Sequence, residues 1–290
     1  MILNTKNLLL IVSTLSIMPT SHALEVQPGD FEMLPDGKSL ALLYYTYTQG
    51  DQLYQNADKI SDHAKLETDI GLLRYIYAIH PIENVSIEPQ VILPFGKLRA
   101  SQDLSALGNA SGVGDMIVGM PIKWAPSSAN TLAIAPFVSI PSGSYHQDQT
   151  LNLGENRWNA TVQTAWLHHF NQYFTLENIF DAAFYTSNNR YTVADLKLDQ
   201  KTKYEYQVYL RYNPSPATAL GIGGGWIGGG ETQLNHVSQN DKLNTTYAKF
   251  TASHFLTPNF QTNLTIGRDL KVEQGVKQNL DVTLRLGYLF

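Results

Sequence analysis

The sequence predicts an all-β protein, a transmembrane antiparallel β-barrel of the bacterial outer membrane with about twelve strands and both termini periplasmic. Three observations predict it. The carboxy-terminal stretch has a side-chain period of two, with Leu280, Val282, Leu284, Leu286, Tyr288 and Phe290 on one face and Asn279, Asp281, Thr283 and Arg285 on the other. Past the amino-terminal apolar run no stretch reaches membrane-helix length, yet 16 Tyr and 11 Phe accompany only 16% charged residues. Long polar connections also alternate with short ones along the chain. An apolar strand face left at a sheet edge would invite pairing, and closing the last strand onto the first removes that edge.

Lys6, the apolar run Leu8 to Met18 and the small-x-small site Ser21-His22-Ala23 predict a secretory signal peptide over residues 1–23. The barrel then occupies residues 24–290 as one domain. With no Cys in the chain, neither a disulfide nor a lipid-modified cysteine is available. Twelve segments read as strands, roughly 38–50, 64–79, 82–96, 112–125, 129–141, 156–170, 173–187, 200–213, 216–229, 242–256, 258–271 and 277–290. Short connections are expected at His80-Pro81, Pro126 to Asn130, Asn171-Gln172, Pro214-Ser215 and Thr257-Pro258. Long ones are expected over Asp51 to His63, Lys97 to Ser111, Ser142 to Glu155, Ser187 to Asp199 and Gly230 to Asp241, with a modest one over Val272 to Val276. Short periplasmic turns and longer external loops are the usual asymmetry of such barrels, and an even strand number returns both termini to the periplasm. The terminal face, Leu284, Leu286, Tyr288 and Phe290, resembles the insertion signal of bacterial outer-membrane proteins.

Parity assigns the faces. In the fourth segment Met116, Val118, Met120, Ile122 and Trp124 meet lipid, while Asp115 and Lys123 point inward. The eighth sets Tyr204, Tyr206, Val208, Leu210 and Tyr212 outward against Lys203, Glu205, Gln207 and Arg211. The eleventh sets Phe260, Leu264, Ile266 and Leu270 against Gln261, Asn263, Asp269 and Lys271. In the second, Arg74 goes to the lumen and Glu67 and Asp69 to an extension above the membrane. Tyr77, Trp124, Trp166, Tyr212, Phe255, Tyr288 and Phe290 fall near the periplasmic ends as an aromatic girdle. Strand spacing near 4.8 Å and tilt near 40° give twelve strands a backbone diameter of roughly 24 Å. The candidate lumen set is Arg74, Glu88, Asp115, Lys123, Arg157, Glu177, Asp181, Lys203, Glu205, Arg211, Asp281 and Arg285. Such a mixture fits either an ion-paired filling or a narrow polar conduit.

Four stretches carry a resemblance: LEVQPGDFEMLPDGKSLALLYYTYTQGDQLY, PQVILPFG, SGVGDMIVG and SIPSGSYHQDQTLNLGENRW. With them the chain resembles the family named for the MetA pathway of phenol degradation, over essentially its whole length beyond the signal. The resemblance implies an outer-membrane protein that helps small, often aromatic, compounds cross. It implies no catalytic residues, and the phenol label names no substrate for this chain. From the residues themselves, Gly143 and Gly154 suit turns. Arg157 and Asn159 then enter a strand on the polar parity, and Trp158 sits on the lipid side. Glu155 and Arg157 tie the loop to the rim or reach into the lumen.

Other chemistry finds little support. Gly223, Gly225 and Gly228 match a dinucleotide pattern, but they sit inside a strand with no helix after them, where glycine bends the wall or leaves room inside. Ser144 and His146 share one loop without an orienting partner, so hydrolysis is not expected. His168 and His169 point to opposite faces, and no metal-ligand spacing appears. The formal charge of −5, or −6 without Lys6, argues against nucleic acid. No enzyme, cofactor or metal is expected. The partners expected are outer-membrane lipid and lipopolysaccharide, the barrel-assembly machinery, and small hydrophobic or aromatic solutes. Two functions stay open: a channel for such solutes, or a structural or surface-interaction barrel with a plugged lumen.

Overall fold

The computed structural model describes residues 26–290, and the expected signal peptide lies outside them. Alternating sequence rich in β-branched and aromatic residues forms the wall. The strands are β1 (Ser39–Gln55), β2 (Ala64–Tyr77), β3 (Gln90–Gln102) and β4 in three pieces (Asn109–Val113, Met116–Gly119, Ile122–Ser127). Next come β5 (Asn130–Ile140), β6 (Asn159–His169), β7 (Phe174–Tyr185) and β8 (Lys203–Ser215). The last four are β9 (Thr218–Gly229), β10 (Leu243–Thr257), β11 (Phe260–Val272) and β12 (Gly275–Leu289). Each pairs antiparallel with its neighbours in chain order. β12 returns to β1 along fourteen residue pairs, from Leu40↔Leu289 to Tyr54↔Gly275. The chain is therefore a closed twelve-stranded antiparallel barrel, and every wall strand has both edges paired over most of its length.

One end carries Ser39 and Phe290, whose backbones exchange hydrogen bonds of 2.8 and 2.9 Å, together with the shorter turns. We call this the turn end and the opposite one the loop end. Four expected connections differ. The strand expected over 82–96 is displaced: Ile79–Ile82 and Val85–Ile87 form a small hairpin turning at 83–84, so the turn is not at His80-Pro81. The expected long loop Lys97 to Ser111 is mostly strand. Leu98, Ala100, Leu104, Leu107 and Ala110 bury themselves with Leu53, Ala64 and Leu151, which carries β3 and β4 past the apolar belt as a packed hairpin. The long connections 187–199 and 230–241 are not free loops either. Asn188–Tyr191, Leu196–Gln200, Thr232–Leu234 and Val237–Ser238 pair into a small four-stranded sheet at the loop end.

Outward residues form the apolar belt that a bilayer requires. Leu43, Leu73, Leu93, Val118, Ile134, Phe180, Leu210, Ile222, Ile266 and Leu284 are all exposed on it. The expected girdle, Tyr77, Trp124, Trp166, Tyr212, Phe255, Tyr288 and Phe290, is exposed around the turn end, with Tyr288 stacked on Phe290 at 5.8 Å. Lys271 is a correction. A register shift opposite Thr246 and Tyr247 turns it outward, where it pairs with Glu273 at 2.5 Å. Among the described residues no helix is long and apolar enough to cross a membrane.

β4 breaks at Gly114-Asp115 and again at Met120-Pro121, where proline has no N–H for the ladder. Above the first break β4 no longer pairs with β5, which ends at Ile140, and the loop 141–158 takes its place. The Ser144 N–H donates to the Val113 carbonyl at 2.7 Å, and the Val113 N–H donates to Ser144 Oγ at 3.1 Å. Asp115 accepts the Gly143 and Glu155 N–H groups, each at 2.8 Å. Gly114, Gly143 and Gly154 stack so closely that a Cβ on Gly143 would lie 2.7 Å from the Gly114 carbonyl carbon. That approach explains why the SGSY…LNLGENRW stretch needs glycine at these two places.

Candidate functional site

The lumen is built from inward side chains and from one segment that is not part of the wall. Residues 26–34 run inside the turn half, and the exposed residues 35–37 lead from them to β1. Val26 and Phe31 pack with Leu42, Tyr44, Leu72, Ile76, Ile92, Phe137, Leu167 and Ile179 in a continuous buried cluster. The inner wall of β1 to β7 is therefore partly apolar, since it has this plug to bury. Polar wall groups hold the plug by its backbone. Glu177 accepts the Gly29 N–H at 3.0 Å, and Glu88 accepts the Leu34 N–H at 3.2 Å. Lys123 Nζ donates to the carbonyls of Asp30 and Glu32 at 2.9 and 2.6 Å.

The twelve lumen candidates divide by height. Arg74, Glu88, Lys123, Glu177, Arg211 and Arg285 lie in the turn half and form one network with the plug. Lys123 pairs with Glu88 at 2.7 Å, and Arg211 with Glu177 at 2.5 Å and with Glu32. Asp30 lies between Arg285, at 2.5 Å, and Arg74, at 3.4 Å. The loop half holds Asp115, Arg157, Asp181, Lys203, Glu205 and Asp281. Arg157 is fully buried, paired with Glu155 at 2.9 Å and 4.4 Å above the Tyr185 ring. It therefore serves the rim loop. Asp281 pairs with Lys249 at 2.7 Å, Gln163 donates to Asp181 at 3.0 Å, and Tyr247 donates to Glu205 at 2.6 Å. Lys203 lies on β8 one step beyond the paired Asp181 and Glu205, opposite Ala183.

Sequence reasoning missed Asp30, Phe31 and Glu32. A signal was present. Sorted by height, the turn-half candidates are four cations against two acids, and the plug supplies the two missing carboxylates. It also missed Tyr209 and Tyr247, which lean toward the lumen face of β9. There a Cβ on Gly223 would lie 2.4 Å from Tyr209 Cδ1, and one on Gly225 2.5 Å from the Tyr247 hydroxyl. These glycines make room for two rings, as the reading of a roomy ninth strand expects.

Above the plug, a vestibule of about 230 Å³ opens toward the loop end, lined by Leu66, Ile70, Leu72, Ile117 and Ile227 beside Thr46, Thr48 and Thr68. Below it, a cavity of about 700 Å³ opens at the turn end against Pro28 to Leu34 of the plug. Ser144 and His146 make no pair: Ser144 is engaged by Val113, and the His146 N–H donates to Asn152. Among the described residues no group of three His, Asp or Glu could hold a metal.

A closed barrel with an apolar belt, an aromatic girdle and a charged lumen defines an outer-membrane β-barrel of porin-like build. Solved structures agree. An outer membrane channel from Pseudomonas putida F1 shares 36% identity over 91% of this chain and all of its own, with a TM-score of 0.90. A FadL homologue from Pseudomonas aeruginosa (10% identity, 87% of this chain and 90% of that one, TM-score 0.50) shares the fold. The translocator domain of the autotransporter NalP from Neisseria meningitidis does so too (11%, 94% and 95%, TM-score 0.53). Among curated proteins no sequence matches. The chain belongs to the family described as the MetA pathway of phenol degradation, which matches residues 49–285.

Proposed function

We propose that this protein is an outer-membrane channel for passive passage of small aromatic or amphipathic compounds, with residues 26–34 as a displaceable plug. One observation carries the reading: a vestibule of mixed leucine, isoleucine and threonine lining lies above a segment that is not part of the wall and is held by side-chain hydrogen bonds, ion pairs and the packing of Val26 and Phe31. An engineered cavity of about 150 Å³ takes up benzene, so about 230 Å³ suits one aromatic ring with a polar substituent. The signal peptide is removed after Ala23, which leaves only two residues ahead of the plug. Both termini face the periplasm and the loop end faces outward, beside lipopolysaccharide.

The same network supports a second reading, a permanently corked barrel with a structural role. Planar-bilayer recording of the wild type and of a variant lacking residues 26–34 separates the two. A channel gives small or intermittent conductance that grows on deletion, and cells lacking the protein take up small aromatic compounds more slowly. A corked structural barrel shows no uptake defect and loses heat resistance when the plug is removed.

A further inference from the structure

We propose that the turn-half wall carries a carboxylate-binding site, Arg74 and Arg285 with Tyr44 between them, which the plug's own Asp30 fills and which a small apolar carboxylate anion takes in its place. The inference rests on the channel reading and names a solute class for it. Arg74 stands on β2 and Arg285 on β12, with β1 between them, since Leu42 pairs with Arg74 and Tyr44 with Arg285. One Asp30 oxygen accepts Arg285 at 2.5 Å and the other accepts Arg74 at 3.4 Å, so a single carboxylate spans three strands. Wall residues also hold both guanidinium groups, independently of Asp30. Arg74 Nε donates to Gln90 at 2.5 Å, Arg285 donates to Gln261 at 3.1 Å, and Arg285 lies 5.9 Å from the Tyr44 ring centre. Two forks held this way, with their remaining donors turned to one point, are a preorganised receptor for a carboxylate.

The arrangement is repeated two residues along. Glu32 reaches Arg211, which Glu177 already positions at 2.5 Å, and lies 3.9 Å from His169. The plug thus meets the wall with two carboxylates, where the wall has four cations against two acids. Withdrawing the plug strips both anions from a partly buried cationic surface, which favours entry of another anion. The route to it exists. The turn-end cavity is lined by Arg74, Arg211 and Arg285 and also by Leu42 and Ile76, so it offers donors to a charged head and apolar wall to the body behind it. Asp30 and Glu32 act as internal surrogates of the solute's own carboxylate, and solute and plug compete for the same arginines.

The test uses the full chain in detergent, with benzoate as probe and benzyl alcohol as the neutral control of similar size. By calorimetry, Asp30→Ala should bind benzoate about tenfold or more tightly than wild type, a difference of about 1.4 kcal/mol. Benzyl alcohol should bind the two equally. Adding Arg285→Gln or Arg74→Gln to Asp30→Ala should abolish the gain. Should Asp30→Ala assemble poorly, Asp30→Asn preserves the volume and frees the same arginines. Equal benzoate affinity in wild type and variant, or a gain that survives loss of both arginines, overturns the site. A plug-deleted barrel that conducts while Asp30→Ala ignores benzoate removes this inference alone. Benzoate binding to a barrel that never conducts removes the channel reading and leaves the site.

Discussion

Lys123 and Glu88 are paired at 2.7 Å with both side chains only 2% exposed, so neither can turn to water if the other is lost. Lys123→Met should therefore destabilise the barrel by about 3–5 kcal/mol, while Lys123→Met with Glu88→Gln should recover much of that loss. Unfolding midpoints in denaturant, followed by gel migration of unheated samples, measure both. If the single and double variants fall equally, the lysine acts through its bonds to the plug carbonyls and not through Glu88. Gly223 makes a different point about single atoms. A Cβ there would lie 2.2 Å from the Val208 carbonyl oxygen and 2.4 Å from the Tyr209 ring. Gly223→Val should thus cost about 1–3 kcal/mol through overpacking, and a smaller ring at 209 can relieve only the side-chain part. A Gly223→Val barrel as stable as wild type would show that β9 moves freely.

Among elements, the outer faces of the strands were legible in the sequence because lipid imposes a strict period of two, and β8 and β12 display it residue by residue. The inner faces were harder to read. Leu72, Ile76 and Ile179 point into a lumen that a channel reading expects to be polar, and their partner is a segment with no period at all. Residues 26–37 hold few regular backbone bonds, so no propensity signals them; only the imbalance of charge by height does. The packed β3–β4 hairpin escaped for a similar reason, since Leu104 and Leu107 lie in what reads as a polar connection. The small loop sheet allows a pH prediction. Hydrogen bonds from Lys201 and Ser238 hold the Glu231 carboxyl below its usual range, and Ser187 and Lys197 do the same for Asp199. Depressed carboxylates stabilise above their ordinary pKa of about 4 and lose that contribution as pH falls through the lowered value. Amide protection factors in Leu196–Gln200 and Thr232–Leu234 should fall only below about pH 4, while those of β1 and β12 stay high. Protection factors unchanged through that range would mean that other contacts hold the sheet.

For the whole molecule, orientation is the property that labelling decides most directly, because the chain has no Cys of its own. Cysteines at Gln147 and Gln239, at the loop end, should react with an impermeant reagent on intact cells, and those at Ser215 and Asn259, at the turn end, should not. Labelling of Ser215 from outside would invert the barrel. The seam between β1 and β12 bears on how the molecule is made. Its fourteen pairs join residues from opposite ends of the chain, among them Leu40 with Leu289. Bringing such distant ends together carries a loop-closure entropy of about 5 kcal/mol beyond a constant. No part of that is recovered until the seam's own hydrogen bonds begin to form, so ring completion belongs late on the folding route. The plug directly precedes β1, and its partners Arg74, Glu88 and Lys123 lie on or beside the next strands. The amino-terminal segment therefore has a seat on a half-built sheet before the circle exists. Most of the plug's seat thus lies on strands that precede β12, and only the Asp30–Arg285 contact waits for the ring to close.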